Sequence, residues 1–316
     1  MTRQRRAADV LVFGATSLVG SHFMAETAYR VAAAGRRPPG AGANRVERFD
    51  ALDFRDAARV ARCVASSPER AVVNFAARTD VDAVERERPG AGEPPSGPAW
   101  QVNTVAVERI ARAAKRTGKY FVQLSTDFVF DGTAGTYGEA ASRSPLTEQL
   151  SWYGWTKSAA ERAVEAATES FAIVRIAYPY GPGVAGKPDF PHWVLDAYRR
   201  HALPPLYADQ WITPTWIPDV SRLIERLLRS QPTGIFHVAS PTRTTPFEFG
   251  RAILKAVEGD DPEPVPGSIR EAAAPGRAPR PVRGGLRCER LSELGLTATD
   301  WPIGVRRVAA EVLRAR

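Results

Sequence analysis

The chain has 316 residues, 44% hydrophobic and 25% charged, with 43 Lys and Arg against 35 Asp and Glu for a formal net charge of +8. This is the balance of a folded globular protein, one large α/β unit or two coupled units; it excludes wholesale disorder, and no apolar run reaches the roughly 18 residues of a membrane span. Only five of the 43 basic residues are lysine and the arginines are scattered, so the charge is read as a solvated basic surface and not as a nucleic-acid footprint.

Taken in chain order, residues 10–13 (VLVF) predict a buried strand and residues 18–28 a helix. Residues 30–34 predict a second strand. Residues 56–67 follow as a helix with Val60 and Val64 on one face, and residues 71–76 (AVVNFA) as a strand. A helix over 100–117 ends at Gly118, well placed for a left-handed cap. Then come a strand at 120–125 (YFVQLS), a helix at 152–168 and a strand at 171–177 (FAIVRIA). Strands separated by helices of this length imply βαβ units, hence a Rossmann-like α/β fold with a doubly wound parallel sheet. Pro and Gly cluster at 36–42, 89–98 and 262–285. After about residue 181 the pattern changes, with helices predicted at 191–201, 217–230 and 246–258 and a strand at 234–239. The expected division is a nucleotide-binding domain of residues 1–180 plus about 213–240. A smaller irregular α/β substrate lobe takes about 181–212 and 241–316.

The first strand runs into Gly14-Ala15-Thr16-Ser17-Leu18-Val19-Gly20 and then a helix. A glycine turn at a helix N-terminus offers free N–H groups to a pyrophosphate and lets it approach closely. No Lys follows the second glycine, so this is not a Walker loop, and Ser17 replaces the middle glycine of the usual dinucleotide fingerprint. After the second strand the segment reads Gly35-Arg36-Arg37, without the carboxylate that would bind a ribose 2′-OH. Two guanidiniums suit a 2′-phosphate, so NADPH is expected over NADH.

Tyr153 and Lys157 open the helix at 152 and lie one turn apart on one face. A neighbouring ammonium stabilises a phenolate, which makes tyrosine a usable general acid at neutral pH. Ser125-Thr126-Asp127 closes the strand at 120, where ligands sit in open parallel sheets. A hydroxyl there can share the negative charge developing on a carbonyl oxygen. The order of glycine turn, strand-end hydroxyl and YxxxK points to carbonyl reduction.

With these motifs the chain resembles the extended short-chain dehydrogenase/reductases, and within them the dTDP-4-dehydrorhamnose reductase family. The matching segments are VLVFGATSLVG (10–20), VVNFAARTDVDAVE (72–85), VNTVAVERIARAAKRTG (102–118), LSTDFVFDG (124–132), YGWTK (153–157), IVRIAYPYG (173–181), DQWITPTW (209–216), GIFHVAS (234–240) and RPVRGGLRCERLSELG (280–295). The resemblance implies hydride transfer from NADPH to the 4-keto carbon of a nucleotide-linked 6-deoxysugar. It implies that Thr126 polarises the carbonyl, that Tyr153 donates the proton, and that Lys157 tunes the tyrosine and binds ribose. It also implies that Gly14, Ser17, Leu18, Val19 and Gly20 line the pyrophosphate, with Asp53 and Phe54 beside adenine and Ala76 and Ala77 under the cofactor. Thr79 and Val81 would border sugar and nicotinamide. Lys187 and the Arg280–Arg283 stretch are charge-based candidates for the substrate diphosphate.

Two positions depart from the family pattern: Phe128 stands for a usual tyrosine and Tyr178 for a usual tryptophan of the sugar pocket. A different sugar, or a ketone that is not a sugar nucleotide, therefore stays open as substrate. A related dehydratase would carry Asp-Glu after the threonine, whereas Phe128 follows Asp127. A 4-epimerase would keep the triad but retain NAD tightly, which Arg36 and Arg37 argue against. A nucleotide-binding regulatory subunit without turnover is the reading from another class. His22, His192, His201 and His237 have no ligand spacing, so no metal is expected; His237 reads as a packed strand residue. Cys63 and Cys288 make no disulfide framework, and MTRQRRAAD leads into too short an apolar run for a signal peptide. A cytoplasmic protein is expected, with a small-molecule partner and neither membrane nor nucleic acid; a homodimer stays open, since the oligomeric state is not legible in the sequence.

Overall fold

The computed structural model describes residues 9–40, 42–43, 45–145, 147–183, 188–259, 262–271 and 277–315. Seven strands form one sheet in the order β3-β2-β1-β4-β5-β6-β8. They are β1 (Val10–Phe13), β2 (Val31–Gly35), β3 (Val46–Ala51), β4 (Ala71–Asn74), β5 (Tyr120–Thr126), β6 (Phe171–Ile176) and β8 (Gly234–His237). The pairs linking β3, β2, β1, β4 and β5 are parallel. A separate two-stranded ladder pairs β7 (Leu206–Tyr207) with β9 (Pro266–Gly267). The helices are α1 (Leu18–Glu26), α2 (Ala57–Ser66), α3 (Val81–Glu85), α4 (Gly97–Trp100), α5 (Ala106–Arg116), α6 (Trp152–Ala167), α7 (Phe190–Arg199), α8 (Ile217–Ser230), α9 (Pro246–Glu258) and α10 (Trp301–Arg314). This is the doubly wound parallel fold expected. Strand order reverses between β1 and β4, the switch point at which such sheets bind ligands.

β3, α3 and α10 were not expected from the sequence, nor were the ladder strands β7 and β9, and the helix expected at 100–117 has other bounds. β3 carries Glu47, Arg48 and Asp50 at the sheet edge, where one backbone side faces no neighbour and polar residues are tolerated. α3 is little more than one turn, capped by the Asp80 side chain on Ala83 N. The helix expected at 100–117 starts at Gly97 and widens into a π turn over Gln101–Val105. The C-terminal helix α10 begins with the Asp300 cap and Pro302, directly after an irregular stretch.

The chain divides into two compact units. The first comprises Met1–Ser125, Trp152–Val174 and Ile224–Ile235; the second comprises Thr126–Ser151, Arg175–Leu223 and Phe236–Arg316. These boundaries differ from the expected ones, since residues 126–151, 175–180, 213–223 and 236–240 join the second unit. Val129 and Phe130 explain the first shift: they pack with Ala177, Ala239 and Leu286, all of that unit.

In the first unit Leu11, Phe13, Ala32, Val72 and Phe121 of the strands pack with Val60, Val64, Val107 and Ile110 of the helices. Fully burying each large apolar side chain contributes about 1.5–3 kcal/mol. In the second unit Tyr180 lies edge-on to Trp216 at 5.3 Å and to Phe249 at 4.9 Å, and Phe249 stacks on Phe190. Buried Glu139 accepts the N–H groups of His237, Glu289 and Arg290, which gathers two backbone segments on one carboxylate.

Gly14 is where β1 meets the end of β4. Its φ is +71°, and an added Cβ would lie 2.4 Å from the Ala76 nitrogen. Backbone cannot yield as a flexible side chain can. Gly14→Ala is expected to destabilise the protein by about 2–4 kcal/mol, from positive φ and overpacking together. Urea denaturation of the pair checks this; an unchanged midpoint would mean that the turn relaxes freely.

Candidate active site

Ser17 is the cap of α1. Its Oγ accepts from Gly20 N at 3.1 Å, and its own N–H donates to Gly14 O at 3.0 Å. The helix ladder opens with Ser21 N on Ser17 O, so the amides of Leu18 and Val19 precede it and have no intrahelical acceptor. A Cβ on Gly20 would meet Gly14 O at 2.3 Å, which keeps the turn tight. The expected middle glycine is unnecessary because the serine hydroxyl closes the turn. Two open amides at a positive helix end, on the switch point, fit a diphosphate.

Beside it, Asn74 is fully buried at the end of β4. Its Nδ2 donates to Gln123 Oε1 at 2.9 Å and its Oδ1 accepts from Ala76 N at 3.0 Å, fixing the path of Ala76 and Ala77. Arg36 and Arg37 follow β2 and are exposed, as a 2′-phosphate contact requires. Asp53 follows β3; bonds from Arg55 and the nearby Arg36 charge hold its carboxyl down at about 2. The Phe54 ring is buried edge-on against Phe13 at 5.2 Å, so it belongs to the core.

Asn103, in the π turn, is fully buried. Its Oδ1 accepts from Arg78 N at 2.8 Å, while its Nδ2 donates to Arg78 O at 3.1 Å and to Thr156 Oγ1 at 3.1 Å. One side chain thus holds the loop leading to Thr79 and Val81 and also α6. The N-terminus of α6 is tied further by Trp152 N to Glu85 Oε2 at 2.6 Å. Tyr153 on this helix is buried, 8% exposed. Lys157 is buried and donates to Leu124 O at 2.7 Å. Burial pushes its pKa down to about 8, against the opposing pull of the Glu161 charge. Glu161 is itself fully buried and accepts from Ser125 Oγ at 2.5 Å.

All these residues belong to the first unit. Thr126, the last residue of β5, begins the second. Its Oγ1 donates to Asp127 Oδ1 at 3.3 Å and accepts from Phe128 N at 3.3 Å. Asp127 is buried, which pushes its carboxyl up to about 6, with the Gly285 N–H and the Thr126 hydroxyl opposing. Tyr178 has a left-handed backbone, φ +43°, and its hydroxyl donates to Gln210 Oε1 at 3.0 Å. Burial, then the Asp127 charge, drive its pKa upward, so it stays protonated. A cavity of about 560 Å³ within this unit is lined by Tyr178, Phe190, Trp193, Tyr207, Arg277 and Arg280. Arg283 instead lies over the Trp211 ring at 5.4 Å. Lys187 lies outside the described residues. His237 is fully buried, with Nδ1 3.1 Å from Arg287 O. His192 pairs with Asp189 at 2.6 Å. Among the described residues no group of three or more His, Cys, Asp or Glu could hold a metal, and no helix is long and apolar enough to cross a membrane.

Asn74, Asn103 and Glu161 were missed as site residues. Their signal is a polar residue inside an otherwise buried run: VVNFA, VNTV, and the position one turn beyond Lys157.

The family model described as RmlD substrate binding domain matches residues 8–314. A dTDP-4-dehydrorhamnose reductase of Streptomyces griseus is 32% identical over 236 residues, 72% of this chain and 73% of the relative. Methionine adenosyltransferase 2 subunit beta of Xenopus tropicalis is 28% identical over 308 residues, 94% of this chain and 85% of the relative. A solved dTDP-4-dehydrorhamnose reductase of Bacillus anthracis, in complex with NADP, has a TM-score of 0.78 at 23% identity, covering 98% of this chain and 100% of that one.

Lys157 should lose its proton near pH 8, well below the ordinary 10.5. Its Nζ resonance, followed by NMR against pH, checks this; a midpoint above 10 would mean that burial does not control the charge.

Proposed function

Because the chain belongs to the RmlD substrate-binding domain family, matched over residues 8–314, we propose that it is an NADPH-dependent reductase of a nucleotide-linked 4-keto-6-deoxysugar, with Tyr153 as the proton donor. The observation that carries the reading is the Lys157 ammonium, buried one helical turn from Tyr153 and held by the carbonyl of Leu124 at the end of β5. The oxidoreductase class follows from the family and its reductase members.

NADPH, when bound, supplies the hydride. The open amides of Leu18 and Val19 would bind its diphosphate, and Arg36 and Arg37 its 2′-phosphate. Ala76 and Ala77, fixed by Asn74, would form the floor beneath it. Lys157 would bond the ribose and, being cationic, lower the cost of charge on the Tyr153 oxygen. As the carbonyl oxygen gains charge, Tyr153 would give it a proton while the Thr126 hydroxyl shares the charge by a hydrogen bond. The Thr126 hydroxyl's bond to Asp127 is long, 3.3 Å, so exchanging it for one to a substrate oxygen would cost little. The cavity bounded by Phe190, Trp193 and Tyr207, with Arg277 and Arg280 at its wall, would take the nucleoside diphosphate portion. Each unit carries its own candidates for the sugar, Thr79 and Val81 in the first and Phe128 and Tyr178 in the second.

Phe128 and Tyr178 leave a different sugar, or another ketone, as the nearest variant of this reading. The adenosyltransferase subunit among the relatives marks a second reading, a nucleotide-binding subunit without turnover. The complete set of Thr126, Tyr153 and Lys157 supports the enzyme.

The test is NADPH oxidation with dTDP-4-dehydrorhamnose. Tyr153→Phe is expected to lower kcat by about 10²–10⁴-fold, the range for a general acid, while NADPH still binds. Full activity in this variant would remove Tyr153 from the chemistry. Replacing Arg36 and Arg37 together by Ala should weaken NADPH binding by about tenfold or more and leave NADH binding unchanged, since only the 2′-phosphate is lost. Fluorescence titration with both nucleotides reads the difference; equal weakening would place the two arginines elsewhere on the cofactor.

A further inference from the structure

Two consecutive residues of β5 reach two side chains one turn apart on α6. The Leu124 carbonyl accepts from Lys157 Nζ at 2.7 Å, and the Ser125 hydroxyl donates to Glu161 Oε1 at 2.5 Å. Lys157 and Glu161 are separated by four residues, so both project from one face of the helix. Glu161 is fully buried and Lys157 is 3% exposed. An ion taken out of water needs an opposite charge or it neutralises.

The other groups presented to this part of α6 are already engaged. Glu85 of α3 accepts the Trp152 N–H and pairs with Arg88. Asn103 and Thr104 of the π turn bond Thr156, and Glu108 and Arg112 of α5 pair with each other. Tyr153 is neutral until it gives up its proton. The charged neighbour that raises the affinity of Lys157 for its proton is Glu161.

We infer that Glu161, fixed by Ser125, is a positioning residue: it is the counter-charge that retains the ammonium of Lys157 beside the proton donor. The inference rests on the reading of Tyr153 and Lys157 as the reactive pair. Ser125 then has a task different from that of Thr126. The first hydroxyl faces the helix and holds an acid, and the second is left to the carbonyl. A carboxylate held only by solvent would swing away, whereas one bonded to a strand end cannot.

The sign follows from the charges. Removing the negative charge at 161 leaves desolvation unopposed, so Lys157 gives up its proton at lower pH. If its midpoint falls by about one unit, from near 8 to near 7, the protonated fraction at pH 8 drops about fivefold while that at pH 6 hardly changes.

Two measurements on the full chain test this for wild type, Glu161→Gln and Ser125→Ala: the NMR titration of Lys157, and the pH profile of kcat for NADPH oxidation with dTDP-4-dehydrorhamnose. The expected result is a lower Lys157 midpoint in E161Q and a smaller shift of the same sign in S125A. The kcat deficit of E161Q should grow about fivefold between pH 6 and pH 8. A midpoint unchanged in both variants overturns the inference. So does a kcat deficit of the same size at every pH, which is the mark of a merely structural residue. If E161Q does not fold, the direction of the S125A midpoint decides. If no variant, nor wild type, turns over this substrate while the midpoints shift as expected, the electrostatic role of Glu161 stands and the substrate assignment fails alone.

Discussion

A buried ammonium must be met by oxygen atoms, and the first unit is built so that Lys157 finds them. Its charge cannot be placed on α6 unless the strand beneath offers a carbonyl and the helix offers a counter-charge. The Leu124 carbonyl is the first, accepting from Nζ at 2.7 Å, and Glu161, four positions on along the same helix face, is the inferred counter-charge. The helix must therefore sit at one height and one rotation against β5. Asn103 and Thr104 set that height through Thr156, and Glu85 sets it again through the Trp152 N–H. Each of these polar groups is buried or half-buried, so a slip of the helix would leave several without partners, at about 1–3 kcal/mol apiece. Tyr153, on the same helix face four positions before Lys157, is held by the same contacts.

The same economy governs the nucleotide end. Gly14 brings the β1 turn against the β4 backbone, and Asn74 then threads Ala76 past it. The turn has no room for a side chain at 14 or 20, yet it tolerates Ser17 because that residue supplies the cap. The departure from the glycine-rich pattern is thus a substitution of one means of closing the turn for another.

What could be read from the amino acids was whatever is local. β1, β4, β5 and β6 are short apolar runs between turn signals, and Tyr153 and Lys157 are a spacing on one helix. β3 escaped because an edge strand with half-exposed Arg48 and Asp50 lacks that apolar signature. The π turn escaped because it is a shift of hydrogen bonds that no residue type announces. Asn74, Asn103 and Glu161 escaped for a third reason: their partners lie 49, 53 and 36 residues away, and only the folded chain brings Gln123, Thr156 and Ser125 to them. The unit boundaries were unreadable on the same ground, since Phe130 joins the second unit through Leu286 and Ala239.

The two departures at Phe128 and Tyr178 lie outside the machinery of α6 and both lie in the second unit. At 128 a hydroxyl is absent. At 178 one is present, with its proton committed to Gln210, whose Nε2 in turn donates to the Pro281 carbonyl. Tyr178 sits at φ +43°, a conformation that costs a non-glycine residue about 1–2 kcal/mol and persists only where surroundings impose it. A tryptophan there would offer an indole N–H and no acceptor. With its own proton used, the Tyr178 oxygen can accept a hydrogen bond. On the proposed reading the sugar's hydroxyl groups would therefore meet an acceptor at 178 and an apolar ring at 128. The reduction chemistry, set by α6 and the end of β5, is left as it was. Substrate choice and proton delivery are then carried by different residues, and the first can change without disturbing the second.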